Sequence, residues 1–153
     1  MEKIDHKTFE DERGSFTPIP LDVLGESWDQ CSIATNDKAF TFRGLHYQTN
    51  PPQRKYIKVI KGRIIDFSVD IETLETEHIQ LGPNDAVEIP AGRAHGYLTI
   101  DPHTIVAYLV KGEYNPESEH SIVWDQCPGV KGIVEIFTDH ENITISEKDE
   151  NGK

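Results

Sequence analysis

The chain has 153 residues, and its 15 lysines and arginines against 27 aspartates and glutamates give a formal net charge of -12. That length suits one domain with a continuous core of its own. The charge opposes nucleic acid and anionic lipid surfaces over long range, yet a few cations gathered in one cleft can still hold a small anionic ligand.

Met1 to His6 lacks the apolar stretch of a secretory leader, and no apolar run approaches the roughly 18 residues that cross a bilayer, so a cytoplasmic protein is expected. Cys31 and Cys127 lie far apart without a C-x-x-C spacing. Reduced thiols are the simpler reading, and a disulfide between them stays open.

In chain order, Phe9-Glu10-Asp11-Glu12-Arg13-Gly14-Ser15-Phe16 reads as a charged turn, a solvated loop whose two phenylalanines dip into the core. Residues 21–28 suit one short helix, started by Pro20 and Asp22 and weakened by Gly25. Residues 30–35 and 39–48 read as strands around an Asn36-Asp37-Lys38 turn. Arg43 and His46 are three apart, so a regular strand would point them to opposite faces. A bulge near Gly44 would bring both to one side.

After the Asn50-Pro51-Pro52-Gln53 loop, residues 55–60 and 63–71 form a strand pair through Lys61-Gly62. Ile65, Phe67, Val69 and Ile71 share one face and Asp66, Ser68 and Asp70 the other. That polar face meets solvent in an open sheet, or lines the interior of a barrel or sandwich with a cavity. Short strands follow at 79–81, 86–89, 95–100 and 104–110, the last with Thr104, Val106, Tyr108 and Val110 on one face. A strand follows at 121–124, and further short runs lie at 134–137 and 143–145. The whole reads as a mainly β single domain, 1–153, with little helix: a jelly-roll sandwich or barrel of the cupin type.

Three groups stand out as candidate chemistry: His46 with Arg43, Lys55 beyond the Pro-Pro loop, and His95 between Gly92 and Gly96. A strand histidine is more often a packed or surface group than a catalyst, and lone lysines and arginines are ordinarily surface charges. One functional alternative makes His46 and His95 ligands of a metal-dependent cupin enzyme. The H-x-H pair usual at cupin metal sites is missing, since the residue two after His46 is Gln48. A non-catalytic binding protein of the same fold is a further alternative.

Arg43-Gly44-Leu45-His46-Tyr47-Gln48, Lys55, Asp66-Phe67-Ser68-Val69-Asp70, Ile89-Pro90-Ala91-Gly92-Arg93-Ala94-His95-Gly96-Tyr97, Tyr114-Asn115-Pro116-Glu117-Ser118-Glu119 and Ile122-Val123-Trp124-Asp125 occur in this order. With the opening Phe9 to Phe16 segment, this series resembles the dTDP-4-dehydrorhamnose 3,5-epimerases, metal-independent cupin-type enzymes that act as dimers without a cofactor. The resemblance implies His46 as catalytic base, Tyr108 as general acid and Asp149 as the carboxylate supporting the base. It implies that Arg43 and Lys55 bind substrate and stabilise charge at its carbonyl, and that His95 is a substrate-site residue. It further implies that Tyr114 stacks on the nucleotide base and that Glu119 and Lys148 contact the ligand. Phe9 and Arg13 would reach the neighbouring subunit's site.

The implied activity is epimerisation at C3, C5 or both of a nucleotide-linked 4-keto-6-deoxyhexose, as in the step toward dTDP-L-rhamnose. The C4 ketone acidifies the neighbouring C–H bonds, so a histidine with an ordinary pKa of about 6.5 suits the base. The family usually carries a polar Gln-Asp-Asn-like stretch before the arginine, where this chain reads Gln30-Cys31-Ser32-Ile33-Ala34. The nucleotide, whether dTDP, GDP or CDP, therefore stays open. Asp149 lies near the end of the sequence, where segments commonly fray.

Overall fold

The alternating runs pair into antiparallel sheets in a computed structural model that describes residues 1–152. A small hairpin joins β1 (Phe9–Asp11) and β2 (Gly14–Phe16). One sheet has the order β3-β10-β5-β8, from β3 (Gln30–Asn36), β10 (Thr104–Lys111), β5 (Arg54–Lys61) and β8 (Ala86–Ile89). The other has the order β11-β4-β9-β6-β7, from β11 (Glu119–Ser121), β4 (Phe42–Gln48), β9 (Arg93–Thr99), β6 (Ile64–Asp70) and β7 (Thr76–Leu81). The two sheets stay open and stack as a cupin-like sandwich, in line with the mainly β expectation.

Strand parity sorts the apolar side chains into layers. Ile57, Val59, Ile64, Leu81, Val87, Ile89, Tyr97 and Val106 fill the space between the sheets. Phe42, Leu45, Ile65, Phe67, Val69, Ala94 and Leu98 face outward from the five-stranded sheet, where Trp124 and a helix cover them. Tyr56 and Ala86 face outward from the other sheet and meet Val23, Ile4, Ile19 and Trp28 of the N-terminal segment.

The covering helix is α1 (Pro128–Phe137), so the short run at 134–137 is the end of a helix. Val130, Ile133, Val134 and Phe137 recur at helical spacing and pack on the sheet. Burying a valine contributes roughly 1.5 kcal/mol or more. Val130 and Val134 together thus outweigh Gly132, which costs about 1 kcal/mol against alanine in the helix interior.

Other boundaries moved. Residues 21–28 hold only a single 3-10 turn at Val23–Gly25. Strand β4 begins at Phe42 rather than at Ala39. Residues 122–124 lie outside β11, and Trp124–Gln126 is a 3-10 turn. Phe9 and Phe16 are 50% and 69% exposed, so the hairpin does not anchor itself in this chain's core. Cys31 is exposed, Cys127 is buried, and both are free thiols.

The chain end is ordered around the sheet. Thr144 bridges Thr41 in parallel and exchanges backbone bonds with Phe40 and Phe42, and α2 (Glu147–Asn151) follows. Ser146 caps α2 by accepting a hydrogen bond from the Asp149 amide.

Candidate active site

The parity problem at Gly44 decides where His46 points. The register of β4 against β9 slips between Arg43 and His46. Phe42 and Leu45, three residues apart, both belong to the outer layer, so Arg43 and His46 both turn to the space between the sheets. The irregularity derived from the sequence is therefore present. Gly44 has φ +125, and a Cβ there would lie 2.5 Å from the Gly96 Cα. The backbones of β4 and β9 touch here, which only glycines allow.

Arg43, His46, Lys55, His95, Tyr97, Tyr108 and Asp149 line an inner cavity of about 110 Å³. It opens past His46, Lys55 and Tyr108 into an outer cavity of about 240 Å³, whose wall includes Gln30, Ser32, Tyr114 and Glu119. His46 and His95 come from the five-stranded sheet and Lys55 and Tyr108 from the facing one. The site is thus divided between two walls.

Asp149 reaches this cavity from α2 and is buried. Its Oδ1 lies 2.6 Å from His46 Nε2, and the Gly44 amide donates to its Oδ2 at 3.1 Å. An ionised carboxylate only accepts, so Nε2 carries the hydrogen and Nδ1 is left as the basic nitrogen. Burial pushes the Asp149 carboxyl up. The imidazole bond and charge, the Gly44 amide and Lys148 outweigh it and hold the group below its usual range.

Lys55 is part-buried as a residue, with its ammonium the enclosed end. Burial pulls it down to about 8, while Asp66 and Glu119 pull it back up. Burial raises the Tyr108 phenol, opposed by Arg43. Arg43 is fixed from behind: its Nε donates to Asn36 Oδ1 at 2.8 Å and its Nη2 to the Thr35 carbonyl at 3.0 Å.

At the rim, Gln48 donates to the carbonyls of Pro51 and Glu113, both at 2.8 Å, and accepts from the Asn115 amide at 2.9 Å. This fastens the loop that carries Tyr114. The Tyr114 hydroxyl donates to Glu119 Oε2 at 3.1 Å, and Lys148 Nζ lies 3.4 Å from the same oxygen.

Of the residues singled out in the sequence, Arg43, His46, Lys55, His95, Tyr108 and Asp149 converge on the inner cavity and Tyr114 and Glu119 on the outer one. Lys148 joins through Glu119. Phe9 and Arg13 line neither cavity; Arg13 instead pairs with Asp11 within the hairpin. Asn36, Tyr97 and the buried Asp66 went unselected. Strand parity with Ile64 and Ser68 would have flagged Asp66 as inward-facing once two sheets were assumed.

The metal alternative has its two imidazoles in register, His46 opposite His95. Each gives Nε2 to its own carboxylate, Asp149 and Asp66. Among the described residues no group of three or more His, Cys, Asp or Glu side chains is placed to hold a metal.

A family model described as dTDP-4-dehydrorhamnose 3,5-epimerase matches residues 2–153. The chain belongs to the dTDP-4-dehydrorhamnose 3,5-epimerase family. It is therefore an isomerase of the epimerase type. Its likeness to the dTDP-4-dehydrorhamnose 3,5-epimerase of Methanothermobacter thermautotrophicus is 31% identity, covering 98% of this chain and 86% of that protein. The structure of the dTDP-6-deoxy-D-glucose-3,5-epimerase of Legionella pneumophila in complex with dTDP-4-keto-L-rhamnose superposes with a TM-score of 0.84 at 27% identity, covering 99% and 85% of the two chains. The dTDP-4-dehydrorhamnose 3,5-epimerase of Bacillus anthracis, with TDP and PPi bound, gives a TM-score of 0.77 at 29% identity, covering 97% and 90%. These three likenesses run along nearly the whole of this chain.

Proposed function

We propose that this protein inverts C3 and C5 of dTDP-4-dehydro-6-deoxyglucose, giving dTDP-4-dehydro-L-rhamnose, with the whole chain acting as one domain. The observation that carries the reading is the His46–Asp149 pair on one wall of a cavity whose other wall presents Tyr108 and Lys55.

The C4 ketone makes the hydrogens on C3 and C5 acidic. His46 Nδ1 takes one proton, and the electron pair left behind moves onto the C4 oxygen as an enolate. Asp149 stabilises the imidazolium that forms and fixes its tautomer. Lys55 and Arg43 place positive charge where the enolate oxygen develops, an interaction strongest at the transition state. Tyr108, held protonated by its raised pKa, returns a proton from the opposite face, and the configuration inverts. The oxidation state of the sugar is unchanged, so the reaction needs no redox partner.

The outer cavity suits the nucleotide. Tyr114 offers an exposed aromatic face, and Arg43 and Lys55 also suit the diphosphate. We read the protein as a cytoplasmic homodimer in which the β1–β2 hairpin, with its exposed phenylalanines and Arg13, reaches a second copy. Among the described residues no helix is long and apolar enough to cross a membrane.

The test is solvent deuterium entering C3 and C5 when the purified protein meets the dTDP-linked 4-keto sugar in heavy water. Exchange at neither carbon overturns the reading. Exchange at one makes the protein a single-site epimerase, and tight binding without exchange makes it a binding protein.

A further inference from the structure

Asp66 sits in the middle of β6 with no exposed surface. Parity turns it inward, away from the outer layer that holds Ile65 and Phe67. Its Oδ1 lies 2.7 Å from His95 Nε2. Its Oδ2 is the one buried side-chain polar atom without a hydrogen-bond partner among the described residues. Buried carboxylate oxygens are costly to leave unpaired, so an orphan of this kind calls for a reason beyond packing.

The surroundings supply one. On β9, His95 bonds to Asp66 directly and Tyr97 lies opposite it in register. On β5, Lys55 is close enough that Asp66 and Lys55 each favour the other's charged form. Burial raises the Asp66 carboxyl above its ordinary range, and His95 and Lys55 offset only part of that rise. Lys55 itself faces Glu119 of β11 as well as Asp66, and shares the cavity with His46 and Arg43 of β4 and Tyr108 of β10. A buried carboxyl behind the cavity is therefore flanked by two groups that point into it.

We propose that Asp66 is a positioning residue for the charge-stabilising side of the site: it orients His95 through Nε2 and keeps the enclosed Lys55 ammonium protonated for the oxyanion. This rests on the epimerase reading for its catalytic consequence. Its electrostatic part stands on the cluster alone. Asp66 touches no substrate on this account and acts only through its two neighbours.

The experiment compares the wild type with Asp66→Asn, which keeps the shape and removes the charge. Lys55 is followed by NMR titration of isotope-labelled lysine side chains, assigned with Lys55→Met, and turnover of the dTDP-linked 4-keto sugar is followed from pH 6 to pH 9.5. Without its partner the Lys55 titration moves to lower pH by about one unit, and the alkaline limb of kcat/KM moves with it. Above that limb the loss is about tenfold. Asp66→Glu, which restores the charge, brings the limb back.

An unmoved lysine titration in a folded Asp66→Asn protein overturns the inference, as does a uniform loss of activity with an unmoved limb. Should Asp66→Asn fail to accumulate, Asp66→Ser carries the same titration. If the wild type shows no turnover at all, the epimerase reading falls, and the lysine titration alone decides the role of Asp66.

Discussion

His46 and Asp149 stand 103 residues apart in the chain and meet Nε2 to Oδ1 at 2.6 Å. The carboxylate arrives on α2, a helix of five residues that has its own serine cap and follows the Thr41–Thr144 bridge. The chain end is thus built into the site, and the expectation that Asp149 frays gives way to a buried, doubly bonded carboxylate.

Asp149→Asn should therefore reduce kcat by about 10²- to 10⁴-fold with little change in KM, because an amide can present its donor to Nε2 and favour the wrong tautomer. Steady-state kinetics check this. The pair also shapes acid stability. The folded Asp149 pKa is depressed, so its stabilisation is complete above the unfolded carboxylate value of about 3.9 and is lost as pH falls through the folded value. Asp149→Asn should flatten that part of the acid unfolding curve, measured by circular dichroism.

Tyr108→Phe should slow net epimerisation more than it slows loss of the substrate C–H hydrogens. The base remains while the acid on the opposite wall is gone. Deuterium wash-in, compared with product formation in the same tube, separates the two. Equal losses would remove Tyr108 from the proton-return step.

Lys55→Met should trade activity for stability. Moving this ammonium from its ordinary 10.5 to about 8 withholds on the order of 3 kcal/mol from the folded state while both states are protonated. Between those values the unfolded chain binds the extra proton, so wild-type stability rises with pH across that window. Urea unfolding at pH 7 should find the variant more stable by about 1–3 kcal/mol, with the gain shrinking toward pH 10.5. Turnover should fall by at least about 10²-fold.

Gly96→Ala tests the close approach that aims His46. A Cβ at Gly96 would lie 2.7 Å from the Arg43 carbonyl oxygen. Separating β4 from β9 should cost about 2–4 kcal/mol, read as a lowered Tm. Activity should fall further than the folded fraction explains, because the Arg43 and His46 side chains lose their shared direction.

The sequence alone settled the short strands that turn residues bound on both sides. Residues 86–89 match β8 to the residue, and 104–110 differ from β10 only at Lys111. Short apolar runs bounded by Gly, Pro, Asn and Asp are local signals, and these two strands are set by local chemistry. The Gly44 irregularity was legible for the same reason: three-residue spacing cannot put two side chains on one face of a regular strand.

The tertiary structure decided what depends on a partner. Helix α1 was hidden because Gly129 and Gly132 weaken its local propensity, and only the sheet face it covers stabilises it. In the sequence Asp66 is one member of a polar alternation that either water or an interior cavity could satisfy. A facing sheet turned it into a buried carboxyl beside His95 and Lys55. Residue types and strand faces are written along the chain, but which face meets water is fixed only when the second sheet closes over it.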